Sequence, residues 1–247
     1  MKSNEESLQK IFSVIEFIGE KEKALSIQEI SIELELSTAT VYRILTGLKE
    51  LGYVGQLPNK QYYLTYKLYE ISSDIINRDG AIDRLAPIMN YFSRYYSCEV
   101  GLTAFDTSSI IHVITVGESI DFGPVVPLPG HTSPVHCTAA GKLFLAQMER
   151  ETLENWVATA CVVPYTRLTI IDREKLLQEV EKTRRQGYGV AVGEYRDMLA
   201  SVAFPIHENG RHITGTFNLN FSVEEFSKRM SEEFVCEVRE SIKRFGL

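Results

Sequence analysis

Residues 26–54, SIQEISIELELSTATVYRILTGLKELGYV, constrain this chain more than any other stretch. They spell two short helices joined by a tight turn, followed by a chain reversal. Ser26-x-x-Glu29 is a capping box, in which the Ser26 hydroxyl accepts from the Glu29 N–H and the Glu29 carboxylate reaches back. Ile27, Ile30 and Leu34 follow at helical spacing and give one apolar face. Glu35-Leu36-Ser37 forms the turn, with Ser37 as N-cap of the next helix. In that helix Val41, Ile44, Leu45, Leu48 and Leu51 make a stripe, and Gly52 supplies the stop. The opposite face, at about 100° per residue, carries Ala39, Tyr42, Arg43, Thr46 and Gly47. Small, hydroxylic and guanidinium groups suit a helix laid into a DNA major groove, where Arg pairs with guanine and Thr meets phosphate or a thymine methyl.

Residues 53–65 alternate around Pro58-Asn59 and read as a hairpin, which makes the unit a winged helix-turn-helix. Upstream, Leu8, Ile11, Phe12, Ile15 and Ile18 predict a third helix that completes the core. The candidate DNA contacts are Ser37, Thr38, Ala39, Thr40, Tyr42, Arg43 and Thr46 on the second helix, with Lys60 in the wing. A three-helix bundle with a merely solvated outer face is the plain alternative. The caps, the turn, the uncharged small face and the hairpin together favour DNA.

Bulk composition bounds the rest. The chain has 247 residues, enough for two domains, and its 44% hydrophobic and 24% charged content is that of a soluble globular protein. Cys98, Cys137, Cys161 and Cys236 form no CxxC pair, which predicts reduced thiols in a cytoplasmic protein. Met1-Lys2 runs straight into polar, acidic residues, so no signal peptide is expected. No apolar run approaches the roughly 20 residues of a membrane span. Charge counts against DNA: the net value is −7, and residues 1–66 hold seven basic against nine acidic side chains. Contact must then rest on a few placed cations, backbone N–H groups and helix ends, with more than one copy on the DNA.

Residues 66–80 predict a linker helix with Leu68, Ile71 and Ile75 on one side, ending at Gly80. That stripe can pack on a second subunit or on its own domain. Beyond it, residues 82–96 read as a helix interrupted near Pro87. Residues 99–105 and 110–116 read as strands around Asp106-Thr-Ser-Ser109, and 123–134 as a loop. Helices follow at 138–147 and 151–159, and a charged one runs from Asp172 to Gly187. Strands at 188–192, 199–206 and 211–221 come next, the last two joined by Glu208-Asn209-Gly210. Ser222-x-x-Glu225 opens a C-terminal helix as a second capping box. An antiparallel-rich sheet covered by helices is expected.

Ser133-Pro-Val-His-Cys-Thr-Ala-Ala-Gly-Lys142 is the second informative segment. A loop of small residues enters a helix, so N–H groups near 138–140 point outward at the positive end of the helix dipole. Such an end holds a carboxylate without a cationic side chain, although an ordinary capped core helix reads the same way. His136-Cys137 hints at a nucleophile pair, but adjacent side chains rarely converge productively. No metal-ligand spacing links His112, His131, His136, His207, His212 and Cys137.

With both segments in view, the chain resembles the IclR family of transcriptional regulators. STATVYRILTGLKELGYV, SPVHCTAAGKLFLA and GYGVAVGE…AFPI…TGTFNLNF carry the likeness over nearly the whole length. The resemblance implies an α+β chain: a winged helix-turn-helix at 1–66, a linker helix at 67–80 and a GAF-like α/β effector-binding domain at 81–247. It also implies operator DNA, a small organic effector, and homodimers, often paired into tetramers on DNA. Neither a cofactor nor a membrane partner is implied. Residue by residue, the family's carboxylate-holding helix start falls on Ala139 and Ala140. The other effector positions fall on Ala191, Met198, Ser201, Asn218 and Asn220. Where some members carry Asp, Gly, Cys and two Ser, this chain has Ala191, Met198, Ser201, Asn218 and Asn220. The anion-holding end is kept while its polar partners change, which predicts a carboxylate bearing hydroxyl or amide groups. The leading expectation is an effector-responsive repressor without catalysis. An enzyme acting on a small organic acid beside a vestigial helix-turn-helix is the alternative, and a helix-turn-helix used for protein contact is a third.

Overall fold

The computed structural model describes residues 2–76, 81–106, 109–117, 129–208 and 212–244. The chain divides into two compact units, Met1–Asp79 and Gly80–Leu247. Together they make the α+β class expected.

In the first unit, α1 (Lys2–Gly19), α2 (Ile27–Glu33) and α3 (Thr38–Glu50) enclose a small core. Both halves of the capping box at α2 form: the Glu29 N–H donates to Ser26 Oγ at 3.3 Å, and the Ser26 N–H to Glu29 Oε2 at 2.7 Å. Ser37 caps α3 by accepting from the Thr40 N–H at 3.2 Å. The far end of α3 closes as a Schellman motif. Gly52, at φ 83°, donates to Lys49 O, and the Tyr53 N–H reaches Leu48 O at 2.9 Å. β1 (Val54–Gln56) and β2 (Tyr62–Leu64) form the antiparallel wing, and Leu25 bridges to Tyr62 along its other edge.

Two expectations about the core need correction. Leu8 and Phe12 are 56% and 57% exposed, while Val14, Phe17 and Ile18 fill the α1 side. The inward face of α1 is thus rotated from the expected stripe, with Ile11 and Ile15 at its margin. Leu51 is 67% exposed because the helix has already turned into its cap there; Val41, Leu45 and Leu48 do the packing. The linker helix α4 (Lys67–Ile76) leaves Leu68 and Ile71 exposed, beside Tyr66 and Tyr69. Gly80 and the side chain of Ile75 lie outside the described residues.

The second unit is a six-stranded antiparallel sheet in the order β5-β4-β3-β8-β7-β6. Its strands are β3 (Glu99–Asp106), β4 (Ser109–Val116), β5 (Thr132–Ser133), β6 (Gly189–Val192), β7 (Leu199–Glu208) and β8 (His212–Ser222). Its first helix, α5 (Ala81–Tyr96), runs through Pro87 rather than breaking there. The C-terminal helix is in fact two, α9 (Val223–Arg229) and α10 (Glu232–Arg244), parted at Met230. Ser222 accepts from the Glu225 N–H, but the Glu225 carboxylate pairs with Lys228 and Arg229. The large core lies on one face of the sheet, where Leu85, Met89 and Phe92 of α5 and Phe234 and Val238 of α10 meet Val100, Leu102, Val202, Phe204 and Phe217. The opposite face carries α6 (Ala139–Ala146), backed by α7 (Arg150–Thr159) and α8 (Arg173–Gln186). The turn at 209–210, residues 107–108 and loop residues 123–128 lie outside the described residues.

Since Leu45 is fully buried and Leu51 is not, Leu45→Ala should destabilise the first unit by about 2–5 kcal/mol, and Leu51→Ala by under about 1 kcal/mol. Denaturant unfolding of the two variants checks the difference; equal losses would contradict this packing.

Candidate functional site

In the first unit, Ser37, Thr38, Ala39, Tyr42 and Arg43 are exposed at the start and outer face of α3, with Thr40 and Thr46 half-buried beside them. Some of the hydroxyls are already engaged. Ser37 Oγ and Thr40 Oγ1 lie 2.8 Å apart, and Thr46 Oγ1 donates back to Tyr42 O. The Arg43 guanidinium and the Tyr42 hydroxyl are therefore the long polar ends that this face offers. Arg43 and Thr40 also border a groove shared with Lys10 of α1. Lys60 is exposed at the wing, at φ 65°, and Lys49 joins α3 to the wing through Gln56 at 2.8 Å.

In the second unit, strand register decides what the α6 face displays, because directly paired residues project from the same side of a sheet. Glu99, Asn220, Ser201 and Ala191 form one lateral row across β3, β8, β7 and β6. Gly101, Asn218, Ala203 and Gly189 form the next, and Thr103 and Thr216 begin a third, with His112 of β4 opposite Thr103. The rows are wired internally. Ser201 Oγ donates to Asn220 Oδ1 at 2.7 Å, and Asn220 Nδ2 to Glu99 Oε1 at 2.9 Å. Thr216 Oγ1 donates to Asn218 Oδ1 at 2.8 Å and lies 2.6 Å from Thr103 Oγ1. His112 Nε2 sits 2.6 Å from Ser133 Oγ.

The first turn of α6 presses on this face. Ala139, Ala140 and Leu143 pack with Ala191, Ala203 and Ile110. At Gly189 there is no room for a Cβ, because the Ala139 carbonyl occupies the space. Thr138 caps the helix by accepting from the Gly141 N–H at 3.1 Å. The Ala139 and Ala140 N–H groups belong to the first turn, which has no intrahelical acceptors for them. Of the expected effector residues, Ala139, Ala140, Ala191, Ser201, Asn218 and Asn220 thus share one face. Met198 does not join them: it is 64% exposed on the turn before β7, where its carbonyl accepts from the Val223 N–H.

The structure adds residues that the sequence reading passed over. Glu99, Thr103, Thr216 and His112 complete the polar rows. Lys142 is 1% exposed inside α6, with its ammonium 2.6 Å from Glu194 Oε1, 2.9 Å from Val190 O and 3.4 Å from Glu179 Oε1. This buried cation fastens α6 to the end of β6 and to α8. Removing either partner of such a pair typically costs about 3–5 kcal/mol. Burial pushes the Glu194 carboxyl up, and Lys142 opposes the shift. Burial also pushes the Cys137 thiol up to about 12, the reverse of an activated nucleophile, while His136 Nε2 pairs with Val163 O at 3.0 Å. Among the described residues no cluster of three or more His, Cys, Asp or Glu could hold a metal ion, and no helix is long and apolar enough to cross a membrane.

A capped helix pair with a wing, joined in one chain to an antiparallel sheet bearing a polar helix-covered face, is the layout of a two-domain transcriptional regulator. Residues 7–58 match the IclR helix-turn-helix domain and residues 74–245 the bacterial transcriptional regulator IclR C-terminal domain. The chain belongs to the IclR family. It is 27% identical over 241 residues to the HTH-type transcriptional regulator KdgR of Escherichia coli, covering 97% of this chain and 91% of that protein. It is 20% identical to the transcriptional repressor IclR of the same organism, over 98% of this chain and 89% of that one. An IclR homologue from Microbacterium hydrocarbonoxydans, solved in complex with 4-hydroxybenzoate, shares the fold with a TM-score of 0.80 at 17% identity, covering 97% of each chain.

One pH dependence follows from the polar face. Burial, helped by His131, lowers the His112 pKa to about 4. The unfolded chain therefore takes up this proton first, and the second unit loses stability as pH falls from about 6.5 toward 4. Chemical denaturation at stepped pH should show that slope, and His112→Gln should flatten it. An unchanged slope in the variant would contradict the assignment.

Proposed function

We propose that this regulator is a repressor that binds operator DNA through the outer face of α3 and the wing, and that a small carboxylate-bearing effector in the second unit controls that binding. The observation that carries the effector half is the convergence of the α6 first turn on rows of side chains that are polar at Glu99, Asn220, Ser201, Asn218 and Thr216 and small at Ala191, Ala203 and Gly189. N–H groups at a helix start suit a carboxylate, and the rows below suit its polar substituents. A solved relative in complex with 4-hydroxybenzoate, itself a hydroxylated carboxylic acid, supports this ligand class for the fold. The raised Cys137 thiol, the reverse of an activated nucleophile, favours a sensor over an enzyme.

The DNA half rests on a face with few cations, so two or more copies must share the load. Each contributes its Arg43 and its helix ends to spaced half-sites. The exposed Leu68 and Ile71 of α4 support a homodimer, and a pair of dimers on DNA extends the same logic. Effector binding would then alter how well two DNA-binding units fit their half-sites.

A gel shift with DNA upstream of the protein's own gene tests both halves. Wild-type protein should bind specifically and in a salt-sensitive way, and Arg43→Ala should weaken binding by about tenfold or more. Asn218→Ala should keep operator binding but lose the response to an acid that releases the wild type. Failure to shift any local DNA at low salt, or full response in Asn218→Ala, would sink the corresponding half.

A further inference from the structure

We infer that the groove between α1 and α3 seats one sugar-phosphate strand of the DNA, with Lys10 holding its phosphate and Gly47 giving it room to approach. This rests on the proposed reading of the outer face of α3 as the DNA-contacting surface.

An α-helix with its side chains is about 10–12 Å across, and the major groove of DNA is about 12 Å wide. A helix lying there therefore meets a backbone strand on each flank. At about 100° per residue, Tyr42 and Lys49 fall on one flank of α3, and Thr40, Gly47 and Leu51 on the other. The first flank is joined to the wing through Lys49 and Gln56, so Lys60 serves the strand on that side. The second flank opens into the groove, whose far wall is α1 with Lys10 and Ile11.

Charge marks the same place. Lys21 lies over the Phe17 ring, Lys23 faces Glu29 at 3.9 Å and Lys49 reaches Gln56. The Lys10, Arg43 and Lys60 side chains have no ionic or hydrogen-bonded partner among the described residues. Two of these three cations line the groove and no acidic side chain does, in a stretch where acids outnumber bases. The exposed Lys10 ammonium is a point charge suited to a phosphate, which positions the duplex without reading its sequence. Ile11 and Leu51 offer the sugar an apolar wall, and Leu51 is 67% exposed there.

Gly47 is an independent sign. Glycine weakens a helix interior relative to alanine, so its place in the middle of α3 asks for a reason. The fold supplies none. A Cβ at Gly47 would meet nothing within 4 Å, and its φ lies outside the left-handed region. The other use of glycine is to let a group come close to the backbone, and here that group must come from outside the unit. Gly47 lines the groove, so what it admits is what fills the groove.

Fluorescence anisotropy of the full-length protein, on DNA from upstream of its own gene and on an unrelated duplex over a range of salt, tests this. Lys10→Ala should weaken both duplexes by the same factor. It should also make the slope of log affinity against log salt shallower by about 0.9 for each copy bound. Gly47→Ala should unfold at the wild-type Tm or above it, yet bind the upstream DNA about tenfold more weakly, because the added methyl stands where the strand approaches. A wild-type salt slope in Lys10→Ala, wild-type affinity in Gly47→Ala, or a lowered Tm in that variant would overturn the inference. Arg43→Ala separates it from the reading beneath it. If that change weakens binding while both groove variants bind as wild type, the α3 reading stands and the groove assignment falls alone. If Arg43→Ala binds as wild type, or neither duplex binds at low salt, the α3 reading fails and takes the inference with it.

Discussion

The second unit depends on how closely the first turn of α6 can approach its sheet. Gly189 on β6 has the Ala139 carbonyl where a Cβ would stand, and Gly141 has the Val135 carbonyl in the same position. The missing side chain at Gly189 lets the helix start settle onto Ala191 and Ala203, and the missing one at Gly141 lets the loop before the helix fold against it. The approach is then locked by Lys142, whose ammonium reaches Glu194, Glu179 and the Val190 carbonyl at the end of the neighbouring strand. A buried ion pair adds little net stability compared with apolar packing, but it fixes which partners meet. Here it ties α6 to β6, to Glu194 just beyond that strand and to α8, beside the polar rows.

The two faces of that sheet consequently divide the work. One is filled by Phe92, Phe204, Phe217 and Phe221 and their neighbours, which exclude water and hold the strands in register. That register places Glu99 opposite Asn220 and Asn220 opposite Ser201 on the other face. A slip of one residue would turn each polar group into the aromatic core, so the apolar face enforces the arrangement of the polar one. In the first unit the balance differs. Its core is small, its ends are closed by well-formed caps, and its outer face carries few charges. Such a unit presents its helix between fixed ends, with few cations of its own.

Local signals were legible in the sequence. Ser26 with Glu29, Ser37, Gly52, Thr138, Asp172 and Gly187 each act within a few residues of themselves, and each sits at a helix end in the structure. What depends on distant partners was not. Glu99 and Asn220 lie 121 positions apart, and no local pattern states their register. Leu8, Phe12 and Leu51 are apolar at helical spacing, but which flank turns inward is set by α2 and the wing. Nothing local marks Lys142 for burial; its partners lie on β6, just beyond it, and on α8. Met198 stands apart for a related reason: the family resemblance puts it at an effector position, while on the turn before β7 it is 64% exposed.

The central claim is that an acid controls this regulator from the first turn of α6. A crystal structure of the full chain, grown with an acid shown to release it from operator DNA, tests this most directly. The account predicts the ligand carboxylate within hydrogen-bonding distance of the Ala139 and Ala140 N–H groups, with its remaining polar groups over the Asn218 and Asn220 rows. Density for the acid elsewhere, for instance in the groove between α7 and α8 lined by Arg150, Arg184 and Arg185, would contradict it.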